Sequence, residues 1–326
     1  MKLPHRRQFL HLAVGAAALP AISLAVRAQT YPSRPVRFIV PFPPGGPSDV
    51  LARIYGQKLS QRWNQPVVVE NRIGATGTIG AEAVVRAPPD GYTLLFTFEL
   101  PITMAPALLK LRYDPERDVA PIAMVAKSDN LLAIHPSAGI RSVADLVAAA
   151  KSKPGTLTFA SAGNASPSHL CGEMLKRQAS IDLTHVPYPG VAPAMNAILS
   201  GNVTMFCGPI PQGMALVKAG KLYALGVTST ARSTLAPEVA PLSDTYPELI
   251  VSVWVGLFAA AGTPASVRQF LRDELKEVYA DPDLQQRLAD LGLDPEWMSG
   301  AELTRKIKGD TARWAQFIKA ANIKPE

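Results

Sequence analysis

Residues able to do covalent or metal chemistry are scarce in this chain. Its 326 residues include two cysteines, Cys171 and Cys207, and five histidines, of which only His135, His169 and His185 lie beyond residue 28. There is no Cys-x-x-Cys and no His-x-x-x-His, which argues against a zinc site, and no metal or other cofactor is expected. Gly-x-Ser-x-Gly is also missing. Ser161, His169 and Asp182, or Ser166 with His169, supply hydrolase residue types without the strained turn that would present a nucleophile, so an enzyme is not expected. No Lys/Arg cluster of the kind that grips a phosphate backbone is present, so a nucleic-acid partner is not expected either. Beyond the N-terminal apolar run nothing approaches the ~20 apolar residues of a membrane-spanning helix. Spacing leaves open whether the two cysteines pair.

The N-terminus reads as an export signal over residues 1–28. Lys2, Arg6 and Arg7 form a basic start, Leu12 to Val26 an apolar stretch, and Val26-Arg27-Ala28 a cleavage site. Arg6-Arg7-Gln8-Phe9-Leu10 resembles a twin-arginine core, and paired arginines also occur in Sec signals; both routes lead to a bacterial periplasm. No cysteine near the cleavage site offers a lipid anchor. The charge balance of the whole chain is 33 basic against 26 acidic residues. Setting aside Lys2, Arg6, Arg7 and Arg27 leaves 29 against 26, so the basicity is largely a property of the signal.

About 300 residues then remain, a length that suggests two lobes rather than one core. Strand and helix alternate: strand 36–40, helix 49–63, strand 66–70, helix 77–86, strand 92–97. This grammar predicts a parallel sheet covered on both faces by right-handed crossovers. It restarts at Ser142, which caps a helix with Asp145 three residues on. Strands follow at 157–161, 183–186, 203–206 and 222–228, with a helix through Leu170, Met174 and Leu175 and another over 192–199. Residues 121–135 and 251–260 read as extended chain crossing between lobes. Thr263-Pro264 predicts a helix start, and Ser299 to Glu302 forms a capping box before a last helix through Ile307, Trp314 and Ile318. The expected division is lobe I at 29–125 plus 250–326 and lobe II at 126–249, with a ligand cleft between.

Several strand-to-helix turns should face that cleft at the carboxyl ends of the strands. The most informative is Pro41-Phe-Pro-Pro-Gly-Gly-Pro-Ser-Asp49, which holds Phe42, Gly45, Gly46, Ser48 and Asp49. A strand that turns through two glycines into a helix leaves backbone N–H groups for an anion. Thr97 and Phe98 begin a second turn. Ser161, Ala162, Gly163, Asn164 and Ser166 form a third, where Asn164 or Ser166 caps the helix and leaves amides toward the cleft. Tyr188 and Gly190 lie in a fourth. No arginine sits in these turns, so a carboxylate would be held by amides, hydroxyls and bridging water.

The chain resembles the extracytoplasmic receptors of tripartite tricarboxylate transporters, the Bug receptors, over essentially all of its length past the signal. The landmarks are Tyr31-Pro-Ser-Arg-Pro-Val36, Pro41-Phe-Pro-Pro-Gly-Gly46 with Asp49, Val67-Val-Val-Glu-Asn-Arg72, Gly74-Ala-Thr-Gly77 with Gly80 and Ala81, and Pro89-Asp-Gly-Tyr92. His185-Val-Pro-Tyr188, Lys218-Ala-Gly-Lys-Leu222 and Trp254-x-Gly256 leading to Ala261-Gly-Thr-Pro264 follow in order.

The resemblance implies an α/β, two-lobed periplasmic binding protein of the type II-like Venus-flytrap kind, each lobe a mainly parallel sheet flanked by helices. It implies a monomeric receptor that closes on a small carboxylate and passes it to inner-membrane transporter subunits, or reports it to a sensor kinase. The ligand would sit between the Phe42–Gly46 turn and the Ser161–Ser166 and Tyr188 turns, with Gly208 included. Two departures stand out. Phe98-Glu99-Leu100 replaces the Gly, Thr and Ser of many relatives, and Val203 to Pro209 lacks the acidic residues many of them carry. Glu99 is either a solvated loop charge or a device that favours an amino-bearing or uncharged ligand.

Overall fold

A single strand, β4 (Val119–Ile134), runs through two sheets and joins them. The computed structural model describes residues 31–321 and 323; the export signal expected at 1–28 lies outside them. The strands are β1 (Val36–Val40), β2 (Val67–Asn71), β3 (Thr93–Phe98), β4, β5 (Thr158–Ser161), β6 (Thr184–Pro187), β7 (Met205–Pro209), β8 (Tyr223–Val227), β9 (Ser252–Ala260) and β10 (Asp294–Ser299). The helices are α1 (Pro47–Trp63), α2 (Thr78–Val85), the single turns α3 (Ala105–Leu108) and α4 (Pro115–Asp118), α5 (Val143–Ser152), α6 (Pro167–Ala179), α7 (Val191–Leu199), α8 (Ile210–Lys218), α9 (Ala265–Tyr279), α10 (Pro282–Asp290) and α11 (Gly300–Ala320).

The strand order is β2-β1-β3-β9-β4-β7-β5-β6, with β8 and β10 also paired to β4. The β2-β1-β3 and β7-β5-β6 sets are parallel, as the alternating grammar requires. Between them β9 and β4 run antiparallel to their neighbours, so each sheet is mixed. The first part of β4 pairs β9 from Val119 to Asp129; from Asn130 onward it pairs β7 and β8. The hand-over is tied by side chains. Thr228 Oγ1 accepts from Asn130 N–H and donates to the Val251 carbonyl, and Asn130 Nδ2 donates to that same carbonyl.

Most expected elements appear within one or two residues. The Ser142 and Ser299 caps form as read, the latter with both capping-box bonds. Three differ. Helix α9 begins one residue later than the Thr263-Pro264 reading: Pro264 occupies the cap position without a side-chain bond, and Thr263 Oγ1 is buried without a partner. A π-helical turn, Leu100–Met104, follows β3 where an irregular turn was expected. Helices α8 and α10 and strand β10 were not anticipated.

The core divides by sheet face. Ile39, Leu95, Met124, Trp254 and Phe258 share one cluster with Leu303 and Ile307 from the first half of α11. Leu132, Ile134, Phe159, Leu170 and Met205 share another with Trp314 and Ile318 from its second half. Alternation along β4 turns Leu131 and Ala133 to the opposite face, with Ile198, Phe206 and Met214. Helix α11 therefore splints both sheets. Trp314→Ala empties a site that is 1% exposed and should destabilise the protein by about 3–5 kcal/mol in urea unfolding; a loss below ~1 kcal/mol would show that the second half of α11 packs only loosely.

Candidate functional site

A cavity of about 350 Å³ lies where four helices begin. Its wall includes Pro47 at the start of α1, Pro167 at the start of α6, Val191 at the start of α7, and Pro209 and Gln212 at the start of α8. Each helix follows a strand of a parallel set, so their starts gather at the strands' carboxyl ends. Phe42, Phe98, Leu100, Phe206, Val253 and Leu293 supply apolar surface, and Ser128, Asn130 and Ser168 supply polar groups. No side chain of the wall is ionised: the nearest thing to an acid is the Cys207 thiol, which burial pushes far above its ordinary range.

Three of the four helix starts are uncapped. Gly46, Gly190 and Pro209, at the cap positions of α1, α7 and α8, give no side-chain bond to the first turn. First-turn amides have no partner within their own helix, and each helix start carries the equivalent of about half a positive charge. The Ser161–Ser166 turn differs from expectation here. Ser166 caps α6, and the amides of Ala162, Gly163 and Ala165 are taken by Ser168 Oγ, Ser161 Oγ and His169 Nδ1. That turn is closed on itself, and the open donors lie at α1, α7 and α8.

Of the residues expected at the site, Phe42, Phe98 and Ala162 form part of the wall. Gly46, Gly190 and Gly208 adjoin wall residues, and with Gly45 they shape the turns. Gly45 sits at φ +80, and a Cβ on Gly208 would fall 2.2 Å from the Phe206 ring, so Phe206 can lie against the strand only because position 208 has no side chain. Asp49 is committed elsewhere: it accepts from Gly45 N–H, Asn71 and two guanidinium nitrogens of Arg53. Those hydrogen bonds outweigh its burial and hold its carboxyl below the usual range. Ser48 Oγ is buried without a partner, and Thr97 Oγ1 is spent on the Phe98 carbonyl. Gly163, Asn164 and Ser166 belong to the self-closed turn. Tyr188 packs half-buried against the Ala194, Ile198 and Phe206 cluster, outside the wall.

No hydrolase triad assembles. Ser161 Oγ lies 2.6 Å from His185 Nε2 rather than on His169, and Ser161 is fully buried. His169 Nδ1 accepts from the Ala165 amide, while Asp182 is exposed. The two imidazoles stack at 4.0 Å, and burial pulls the His185 pKa down to about 4, aided by repulsion from His169. Both rings therefore stay neutral near pH 7 and brace the turn. Cys171 and Cys207 are free, buried thiols. Among the described residues no group of three or more His, Cys, Asp or Glu could hold a metal.

Glu99 corrects both readings of it. It is neither solvated nor at the cleft, being 1% exposed behind the wall, where neither carboxyl oxygen finds a hydrogen-bond partner. The Trp254 indole beside it donates to Asp310 at 3.0 Å. Burial first, then repulsion from Asp310, push the Glu99 pKa up to about 8, against the pull of Lys306 and Arg313.

The fold and this cavity define a class: a two-lobed α/β solute-binding protein of the periplasmic type. The chain is identified further by sequence. The family described as tripartite tricarboxylate transporter family receptor matches residues 51–323, and the chain belongs to that family. It is 36% identical over 296 residues to the UPF0065 protein in the tcbD-tcbE intergenic region of Pseudomonas sp. strain P51, covering 90% of this chain and 88% of that protein. It is 32% identical to the protein BugT of Bordetella pertussis, covering 94% and 95%. The periplasmic binding protein BugD has a similar structure, with a TM-score of 0.71 at 33% identity over 91% of this chain and all of that one. So have R. palustris Rpa4515, solved with adipate (TM-score 0.73, 29% identity, 91% and 100% covered), and MatC from Rhodopseudomonas palustris, solved with malate (0.69, 29%, 88% and 100%).

The burial of Glu99 has a consequence for stability. Between its ordinary value of 4.5 and its folded value of about 8 the folded chain holds a proton that the unfolded chain releases, so stability falls as pH rises through that window. Glu99→Gln, always neutral, should raise the melting temperature at pH 8 by several degrees and change it little at pH 4.5. An equal gain at both pH values would show that packing, not ionisation, is responsible.

Proposed function

We propose that the protein is a periplasmic solute receptor that captures a small carboxylate between its two lobes for a tripartite tricarboxylate-type transporter. One observation carries this reading: four helix starts, three of them uncapped, meet around a cavity with no ionised side chain. Such a site offers directed N–H donors and positive potential without a compensating acid, which suits an anion. Relatives solved with adipate and malate support it. The proposed lobes, residues up to 125 with those from 250 onward, and residues 126–249, meet in β4, which changes sheets between Asp129 and Asn130. The ligand bridges them, Phe42 and the α1 start on one side, Ser168 and the α7 and α8 starts on the other. Ligand contacts to both lobes favour the closed member of an open–closed equilibrium, with β4 and the chain entering β9 as the bending crossings. The neutral Ser161–His185 pair, with Ser161 fully buried and His185 half-buried, positions a turn, and binding rather than turnover is the work of the site.

The test uses protein unfolded and refolded to strip bound ligand, then offered small carboxylates. A ligand at 100 times its dissociation constant should add about 2.7 kcal/mol to stability, visible as a thermal shift, and should reduce the radius of gyration in solution scattering. Absence of both across di-, tri- and monocarboxylates would sink the proposal. A second experiment targets the α1 start. Gly46 has an ordinary negative φ and no atom closer than 3.4 Å to an added Cβ. Gly46→Val should therefore leave the unliganded melting temperature nearly unchanged while weakening binding at least tenfold; undiminished affinity would remove the α1 start from the site.

A further inference from the structure

We infer that the ligand is a monocarboxylate with an apolar, ring-sized body, rather than a dicarboxylate or an amino acid. This rests on the receptor reading above and deepens it. The wall has one kind of surface for charge and another for everything else. Helix starts offer amides, whereas Phe42, Phe98, Leu100, Phe206, Val253 and Leu293 offer only carbon. Phe42 and Phe98 meet edge-to-face, with centroids 5.8 Å apart and planes at 72°, and so present two walls nearly at right angles. A planar ring can meet one of these face-on and the other edge-on, the two arrangements aromatic groups prefer.

Four side chains of the wall carry amide or hydroxyl groups, Ser128, Asn130, Ser168 and Gln212, and two of them are already hydrogen-bonded. Ser168 Oγ already accepts from the Ala162 amide and bonds Ser166, and Asn130 Nδ2 is bound to the Val251 carbonyl. Beyond the helix starts a second carboxylate would find only the Ser128 hydroxyl and the Gln212 amide as unengaged side-chain donors, and elsewhere would lose water against carbon, which disfavours it. A ligand ammonium fares no better, because every neighbouring acid is turned away. Glu99 is buried behind the wall, and Asp49 is saturated by Arg53, Gly45 and Asn71. Asp129 lies between the wall residues Ser128 and Asn130 on β4, so strand alternation sends its side chain to the opposite face, where Lys127 stands 3.6 Å from it.

Isothermal titration of the refolded full chain with benzoate, malate, adipate and phenylalanine decides the matter. Benzoate should bind at least tenfold tighter than each of the other three. Phe98→Ser should weaken benzoate at least tenfold and bring its affinity to within tenfold of malate; if that variant fails to fold, Phe98→Leu, which keeps an apolar side chain but removes the ring, should weaken benzoate by a smaller but measurable factor. Malate, adipate or phenylalanine binding within tenfold of benzoate, or tighter, overturns this inference and leaves the receptor reading standing. Unchanged benzoate affinity in the folded Phe98 variant also overturns it. If none of these probes binds and the wider carboxylate panel is silent too, the inference and the receptor reading fall together.

Discussion

The architecture depends on β4 being one unbroken strand that belongs to two sheets. A sixteen-residue strand has to exchange partners along its length, and at the exchange its backbone groups would otherwise go unpaired. Asn130, Thr228 and Val251 meet that demand. Two side chains and one carbonyl stitch together the three segments that pass between the sheets, all of them buried. Because Asn130 also faces the cavity, the groups that hold the crossing share a residue with the groups that surround a ligand. Helix α11 supports the same joint from outside, with Leu303 and Ile307 in one core and Trp314 and Ile318 in the other.

Right-handed crossovers in two parallel strand sets explain why the helix starts converge. Each helix must begin where its strand ends, so once the two sets face each other across β4 and β9, the positive ends of α1, α6, α7 and α8 are drawn to one place. The sequence then decides how each end is finished. Ser166 caps α6 and closes its turn, whereas glycine or proline before α1, α7 and α8 leaves first-turn amides open. The cavity's electrostatic character is thus set mainly by backbone, with side chains deciding which donors remain available.

Much of this was legible from residues. The β1–α1, β5–α6 and β6–α7 boundaries follow from proline, glycine and serine at the turns, local signals that need no partner. The Phe42 turn could be recognised as a helix start for the same reason. What escaped was long-range. Leu291, Gly292 and Leu293 reach the wall from the end of α10, far along the chain, and nothing local marks them. Ser128 and Asn130 lie in the polar run Lys127-Ser-Asp-Asn130 that interrupts an otherwise apolar strand, but the run alone does not say which of its residues face the cavity. Glu99 was misread because a charged residue after a strand ordinarily faces water; here the π-helical turn at Leu100 carries it inward beneath Trp254. The expectation of open amides at Ser161–Ser166 failed because the side chains of Ser161 and, from the first turn of α6, Ser168 and His169 consume them.

The disposition of acids shows how the site keeps its field. Three carboxylates stand next to or near wall residues: Glu99 between Phe98 and Leu100, Asp129 between Ser128 and Asn130, and Asp49 two residues beyond Pro47. All three are almost wholly buried, and each is handled differently. Asp49 is neutralised by Arg53 and turned into a brace for the glycine turn. Asp129 stands beside Lys127 on the same face of β4, with burial still raising its pKa. Glu99 has no partner strong enough, and burial favours its protonated, uncharged form. An ionised acid in the wall would cancel the half-charges of the helix starts, and none is there. The cavity is made hospitable to an anion as much by where its acids are hidden as by the donors it exposes.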